Sequence, residues 1–271
     1  MASSGVASLL LPKGRTAHSR FKIPIDINEN SLCDVKRGTM LAELLQNTAL
    51  IIWDEAPMTH RHCFEALDRT LRDILSETCP ANEIIPFGGV PVVLGGDFRQ
   101  ILPVVPKGSR SAIIDASITN SKLWRHVSML SLNINMRLLN PSLPTTQRDE
   151  LDSFGKWLLA VGDGTVPTAK KDGDSQPTWI EIPHDLLIMT DSDKIAAVVR
   201  EVYPDFLAHY KDPSYLASHA IVCPNNSIVD EINDYVVSLV PGDKKEYLSC
   251  DTISKCSEQI PDFDLLYPQN F

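Results

Sequence analysis

The stretch Leu50-Ile51-Ile52-Trp53-Asp54-Glu55 decides the fold class of this 271-residue chain. It is an apolar run that ends abruptly in two carboxylates. A strand without polar residues on either face is typical of a parallel sheet covered by helices on both sides. We therefore expect an α/β fold in which residues 49–53 form a strand buried on both faces.

A helix is predicted on each side of this strand. Before it, apolar residues recur at helical spacing after Thr39, which would cap the helix. After it, an apolar stripe opposite a charged face predicts an amphipathic helix capped by Thr59. The stripe consists of Cys63, Phe64, Leu67, Leu71, Ile74 and Leu75.

Similar patterns continue along the chain. Further helices are predicted near residues 111–118, 151–161, 194–203 and 227–239, and further strands near 92–94, 129–134 and 220–223. We place a domain boundary near Pro141, so that residues 1–140 form one domain and 141–271 form linker helices and the start of a second.

Composition limits the function classes. The apolar content of 43% predicts a globular protein, and no apolar run reaches the length of a membrane span. Six cysteines without a C-x-x-C pair predict reduced thiols inside a cell. The net charge of −10 counts against binding nucleic acid, although Lys13, Arg15, Arg20 and Lys22 form a local basic cluster.

Three stretches bear residues suited to phosphate chemistry. The carboxylates of Asp54 and Glu55 follow a strand, where open α/β sheets bind ligands; the first could hold Mg²⁺ and the second could polarise water. In Gly95-Gly96-Asp97-Phe98-Arg99-Gln100, the glycines let the backbone approach a ligand and Gln100 could contact a terminal phosphate. Arg137 ends Leu132-Asn133-Ile134-Asn135-Met136-Arg137 and offers a guanidinium for a phosphate. Each stretch alone is equally explained by solvated polar residues.

Taken together and in this order, the three stretches resemble the second, third and fourth motifs of the superfamily 1 DNA helicases of the petite-integration-frequency (PIF-like) type, most closely plant and Helitron-like versions. Residues 3–11 and 14–19 are similar to the family motif that meets single-stranded DNA. Residues 220–226 and 229–233 resemble the entry into the second RecA-like domain. The resemblance implies an incomplete RecA-like P-loop NTPase fold, truncated at both ends.

The resemblance also implies a role for each matching residue. Asp54 would hold Mg²⁺ and Glu55 would act as the general base in ATP hydrolysis. Gln100 would couple the γ-phosphate of ATP to DNA, and Arg137 would stabilise developing negative charge as an arginine finger. Thr16 and His18 would contact single-stranded or forked DNA. The family's work in DNA repair, recombination and telomere maintenance implies a nuclear location, with cytoplasm or mitochondrion as alternatives.

One element of the family is missing from the sequence. A G-x-x-x-x-G-K-[ST] phosphate loop, expected before residue 1, occurs nowhere, and Gly155-Lys156 lies within a predicted helix. We expect the strand before that loop, and the strand leading into Ser3, to be missing with it. An incomplete sheet would expose apolar faces, so we expect marginal stability or a partner chain that completes the sheet, and little ATP hydrolysis by these residues alone.

Two other interpretations stay open at this stage. The chain could be a non-catalytic module that binds DNA or a protein through the segment around Thr16 and His18. It could also be a metal-dependent hydrolase that uses Asp54, Glu55 and Asp97. The sequence His60-Arg61-His62-Cys63 does not predict a metal cluster, because the two histidines would point to different helical faces.

Overall fold

The computed structural model describes residues 1–139, 141, 144–173, 177, 179–190, 193–243 and 245, without the side chain of Arg137. The chain forms two compact units, Met1–Ile180 and Glu181–Phe271. The predicted boundary near Pro141 concerns helicase domains and stays a prediction. The weakly patterned C-terminal tail, which ends at Phe271, lies almost entirely outside the described residues.

The central sheet of the first unit is parallel. Strand β1 (Ile51–Trp53) pairs with β2 (Val92–Leu94) so that Trp53 lies opposite Leu94. Ala2 forms parallel bridges both to Asp54 and to Thr16. Residues 1–3 lie alongside the end of β1 through these isolated bridges but form no strand of their own, so the expected loss of the strand leading into Ser3 stays a prediction.

Helices account for most of the remaining regular structure. In the first unit they are α1 Gly5–Leu9, α2 Ala17–Phe21, α3 Met40–Gln46, α4 Arg61–Ser76, α5 Arg110–Ala116 and α6 Thr145–Gly162. In the second unit they are α7 Lys194–Val202, α8 Phe206–His209, α9 Pro213–Ser218 and α10 Asn226–Leu239. A short antiparallel pair joins β3 (Thr168–Ala169) to β4 (Trp179–Ile180). None of the helices in the described part of the chain combines the length and apolar content needed to cross a bilayer.

Two of the predicted helix caps have different outcomes. Thr39 caps α3 as predicted, since its hydroxyl accepts a hydrogen bond from the Ala42 amide. The prediction for Thr59 is wrong: His60 caps α4 and accepts the His62 amide through Nδ1 at 3.2 Å. The Thr59 hydroxyl is buried and donates to the Ser3 hydroxyl at 2.6 Å. A tertiary hydrogen bond therefore replaces a local cap.

The core lies between β1 and α4. Trp53 is fully buried, with its ring 4.4 Å from Phe64 and 6.0 Å from Phe21, measured between centroids. The opposite face of the sheet is open, because Ile52 and Val93 are each 53% exposed. The prediction that β1 is buried on both faces is wrong, whereas the expected exposure of an apolar sheet face is confirmed.

Two predicted strands are absent. Residues 129–134 and 220–223 have no strand structure, and Leu132 is completely exposed. A strand gains stability from hydrogen bonds to a neighbour, and no described residue pairs with either segment. Apolar composition alone is therefore insufficient to form a strand here.

The second unit has a small core of its own. The predicted helices near residues 194–203 and 227–239 are confirmed as α7 and α10, which pack on each other. Tyr203 of the same unit contacts the rings of Tyr215 and His219, and its hydroxyl donates to the His219 carbonyl at 3.1 Å.

Candidate functional site

The turn after β1 holds Asp54 through its backbone. The Asp54 amide donates to the Met1 carbonyl at 2.9 Å, and its carbonyl accepts from the Ser3 amide at 3.0 Å. Its side chain is half-buried, and Oδ1 accepts the Glu55 amide at 3.0 Å. Within the described part of the chain, no other donor occupies this carboxylate, so its remaining acceptor positions are available to a ligand.

Glu55 has an unusual backbone conformation. Its φ of 53° lies in the left-handed region, which costs free energy for a residue with a Cβ. The turn is held by the next amide, since Ala56 donates to the Gly95 carbonyl at 2.9 Å. The half-buried Glu55 side chain therefore sits on a strained residue that its neighbours fix in place.

The two glycines after β2 bring the second turn against the first. A Cβ on Gly95 would lie 3.1 Å from Asp54 Oδ1, and one on Gly96 would lie 2.3 Å from Pro57 Cδ. Gly96 also has a φ of +150°. We predicted that these glycines let the backbone approach a ligand, but the structure shows that they let one turn approach the other.

The acid of the second turn is engaged in an ion pair. Both Asp97 oxygens accept from Arg99 Nε, at 2.9 and 3.1 Å, and this hydrogen bonding lowers the pKa of Asp97. Arg99 also reaches Asp163 at the end of α6, at 3.4 Å. Asp97 is thus already paired, which disfavours a metal-dependent hydrolase that would use it. Among the described residues, no three His, Cys, Asp or Glu side chains form a metal cluster.

Gln100 and Arg137 are the other two residues predicted to contact the nucleotide. Gln100 is exposed on the second turn, and its amide donates to the Asp97 carbonyl at 3.1 Å. Arg137 belongs to the 3₁₀-helix Met136–Leu139, but its side chain lies outside the described part of the structure. The structure therefore brings together Asp54, Glu55 and the turn that carries Gln100, while the roles assigned to these residues and to Arg137 stay predictions.

Thr16 and His18 lie beyond the N-terminal segment. Ala2 forms parallel bridges to Asp54 on one side and to Thr16 on the other. The Thr16 hydroxyl caps α2 by accepting from the Ser19 amide at 3.3 Å. Burial lowers the pKa of His18, whose Nε2 lies 3.8 Å from Cys63 Sγ. A neutral imidazole and a hydroxyl can donate hydrogen bonds without adding charge. Their contact with DNA stays a prediction.

Ser3 has a role that sequence reasoning did not assign. Its hydroxyl accepts from Trp53 Nε1 at 3.0 Å and from Thr59 at 2.6 Å. It therefore links the N-terminal segment, β1 and the start of α4. No local sequence pattern indicates this role, since serine is common in exposed loops.

Comparison with known proteins reveals related helicases. The model of the PIF1-like helicase family matches residues 1–172. The chain is 34% identical over 109 residues to the ATP-dependent DNA helicase Pif1 of Psychrobacter sp. (strain PRwf-1). This alignment covers 40% of this chain and 16% of that protein. It is also 32% identical over 106 residues to the ATP-dependent DNA helicase PIF4 of Trypanosoma brucei brucei (strain 927/4 GUTat10.1), in an alignment that covers 37% of this chain and 12% of that protein. The chain thus matches less than a fifth of the length of each relative.

A solved structure has the same fold. The crystal structure of Pif1 helicase from Bacteroides, in complex with ADP-AlF3 and ssDNA, superposes with a TM-score of 0.56 and 21% sequence identity. The superposition covers 91% of this chain and 50% of that one. This likeness confirms the predicted incomplete RecA-like α/β fold.

Proposed function

Because the chain belongs to the PIF1-like helicase family, we propose that it forms part of an ATP-dependent DNA helicase, which couples ATP hydrolysis to movement along single-stranded DNA. The two curated relatives support this activity through their names. The proposal extends to the family's work in DNA repair, recombination and telomere maintenance in the nucleus.

The parallel, in-register pairing of β1 and β2 carries the proposal. Because both strands end at the same edge, Asp54 and Glu55 lie beside the turn that bears Gln100. Two backbone hydrogen bonds join the turns: Gly95 amide to Trp53 carbonyl at 2.8 Å, and Ala56 amide to Gly95 carbonyl at 2.9 Å. Ligands of open α/β sheets bind at this edge.

The donor set at this edge fits Mg²⁺ with a nucleotide. Mg²⁺ is commonly held by one or two carboxylates together with waters and substrate phosphates, and Asp54 offers a half-exposed carboxylate. When bound, the metal would neutralise charge on the phosphates. Asp54 would hold it, Glu55 would accept a proton from the attacking water, and the exposed Gln100 would contact the terminal phosphate. Arg137 would stabilise negative charge that develops there.

On the DNA side, we assign Thr16 and His18 to contacts with the strand. The Thr16 hydroxyl accepts the Ser19 amide but keeps its own proton for a phosphate oxygen. The half-exposed His18 ring offers a donor or a stacking face. The backbone bridges from Thr16 through Ala2 to Asp54 provide a direct connection between these residues and the carboxylates.

The phosphate loop is the part that this sequence does not supply. Its backbone amides and lysine normally hold the β- and γ-phosphates, so we expect little ATP turnover from these 271 residues alone. The test is to measure ATP hydrolysis with and without single-stranded DNA for the chain and for a chimera. The chimera carries the phosphate-loop segment of a PIF1-like relative before Met1.

The proposal predicts DNA-stimulated turnover in the chimera that is lost when Asp54 and Glu55 are both replaced by alanine. Turnover that survives this replacement would contradict the assignment. A folded chimera that binds DNA without hydrolysing ATP would instead favour the second candidate function, a non-catalytic DNA-binding module. The half-exposed Thr16 and His18, which lie apart from the turns that carry the carboxylates, are the observation that favours that candidate.

A further inference from the structure

A cleft of about 460 Å³ lies along the outer side of α4. The 3₁₀-helix Lys122–His126 and the loop at Glu29 and Asn30 form its other walls. None of the residues assigned to the nucleotide or to DNA lines it. The apolar stripe of α4, which includes Phe64 and Leu67, faces the core, so the cleft lies on the opposite side of the helix from the sheet.

The cleft carries a surplus of positive charge in an acidic protein. Five cationic side chains line it, against the three carboxylates of Glu29, Glu65 and Asp68. The cations are Arg61, Arg69, Arg72, Lys122 and Arg125. A surplus of two positive charges on a chain of net charge −10 is a local feature that bulk composition does not explain.

Two of the carboxylates are already satisfied within the protein. Asp68 pairs with Arg72 at 2.9 Å and accepts the Phe87 amide at 2.6 Å. Glu65 accepts from Ser121 at 2.7 Å and lies 2.7 Å from His62 Nδ1. These contacts lower the pKa of Glu65 although burial alone would raise it. Asp68 is thus engaged with Arg72, and Glu65 with His62, Ser121 and the nearby charge of Arg61, so neither acid forms an ion pair with Lys122 or Arg125.

Two cations of the cleft keep donors for a ligand, although Arg125 Nε donates to His126 Nε2 at 3.1 Å. Lys122 and Arg125 are exposed, and neither has a carboxylate partner among the described residues. They stand three apart on a 3₁₀-helix, where residues i and i+3 stack on one side. Arg61 donates through Nη1 to the Asn120 carbonyl at 3.1 Å, while its buried Nε has no hydrogen-bond partner in the described structure. A buried donor without a partner is uncommon in a native structure.

We propose that this cleft binds a phosphate group, carried by a small phosphorylated molecule or by a nucleic-acid backbone. A phosphate monoester carries about −1.5 to −2 charges at neutral pH and three acceptor oxygens, which matches the surplus charge and the free donors. A single carboxylate would leave part of that charge uncompensated. The volume falls within the range of about 300–1,000 Å³ typical of small-ligand sites.

The experiment compares two matched double variants of the full chain. Lys122→Gln with Arg125→Gln removes the free charges of the cleft. Lys107→Gln with Arg110→Gln removes the same charges at the same spacing from exposed positions outside it. Binding of inorganic phosphate is measured by calorimetry at low ionic strength, and binding of a single-stranded oligothymidylate and of oligoglutamate by fluorescence anisotropy. Circular dichroism checks that both variants stay folded, as expected for exposed side chains.

We expect the cleft variant to bind phosphate about tenfold or more weakly, because two charge-assisted hydrogen bonds are lost, while the control stays near wild type. A loss confined to phosphate identifies a small ligand, and a parallel loss for the oligonucleotide identifies a backbone phosphate. Equal losses in both variants, or no measurable phosphate binding by the wild type, would overturn the proposal. Stronger, cleft-dependent binding of oligoglutamate would also overturn it in favour of a carboxylate ligand. ATP hydrolysis enters none of these measurements, so failure here is separate from failure of the proposed function.

Discussion

The turns after β1 and β2 look alike in sequence and differ in structure. Each follows an apolar strand and begins with or contains an aspartate. The first turn is tied to the protein by backbone hydrogen bonds, and among the described residues the Asp54 carboxylate accepts only the Glu55 amide. In the second turn, both oxygens of Asp97 are occupied by Arg99. Two aspartates that follow paired strands, Asp54 directly and Asp97 after Gly95 and Gly96, are thus left with unequal capacity for a ligand.

Because of this difference, we expect the two turns to have different roles in the site. The first provides half-buried carboxylates on a fixed backbone, including the strained Glu55. The second provides a backbone that packs on the first and presents an exposed Gln100. Substitutions that alter packing between the turns should therefore lower the free energy of unfolding, whereas substitutions of Asp97 should change it little.

The largest effect on stability is expected for Gly96→Ala. Its Cβ would overlap the Pro57 ring, and alanine would be strained at a φ of +150°. Overpacking and backbone strain each cost about 1–3 kcal/mol, so we expect the free energy of unfolding to fall by about 3 kcal/mol. Urea denaturation measures it. Gly5→Ala, which meets nothing within 4 Å, is the control, and equal stability of the two variants would show that the turns do not pack as described.

A smaller loss of stability is expected for Ser3→Ala. This change leaves the indole N–H of the fully buried Trp53, and the Thr59 hydroxyl, without their shared acceptor. An unsatisfied buried donor costs about 1–3 kcal/mol, so the free energy of unfolding should fall within that range. Ser19→Ala, at an exposed helix position, should leave it unchanged. A Ser3 variant as stable as wild type would mean that Ser3 does not anchor the first turn.

The smallest effect is expected for Asp97→Asn. The pKa of Asp97 is lowered, so its ion pair with Arg99 contributes above the ordinary aspartate pKa of about 3.9 and is lost as the pH falls below it. Both side chains are partly exposed, 39% for Arg99 and 34% for Asp97, and solvent therefore screens the pair. We expect the denaturation midpoint at neutral pH to stay close to that of wild type, and the two proteins to converge in acid. A large loss at neutral pH would show that the second turn is as firmly anchored as the first.

Sequence reasoning identified the layout of the site better than its details. The apolar run into Asp54 predicts β1 and places Asp54 and Glu55 at the carboxyl end of a parallel strand, whereas the predicted burial of both faces is wrong because Ile52 and Val93 are exposed. The roles of Gly95, Gly96 and Ser3 depend on contacts between segments distant in sequence, and no local pattern reports them. The sequence pattern predicts Thr59 as a helix cap because the pattern is local, whereas its hydroxyl donates to Ser3, which is distant in sequence. Residues 129–134 carry the composition of a strand, but strand formation also requires a partner.

The most direct test of this account replaces one acid in each turn of the phosphate-loop chimera. Glu55→Gln removes the assigned general base, and Asp97→Asn removes a similar charge from the second turn. We expect ATP hydrolysis to fall about 10²- to 10⁴-fold for Glu55→Gln with ATP binding retained, and to change little for Asp97→Asn. Equal losses of hydrolysis in the two variants, or full activity without the Glu55 carboxylate, would contradict the assignment of catalysis to the turn after β1.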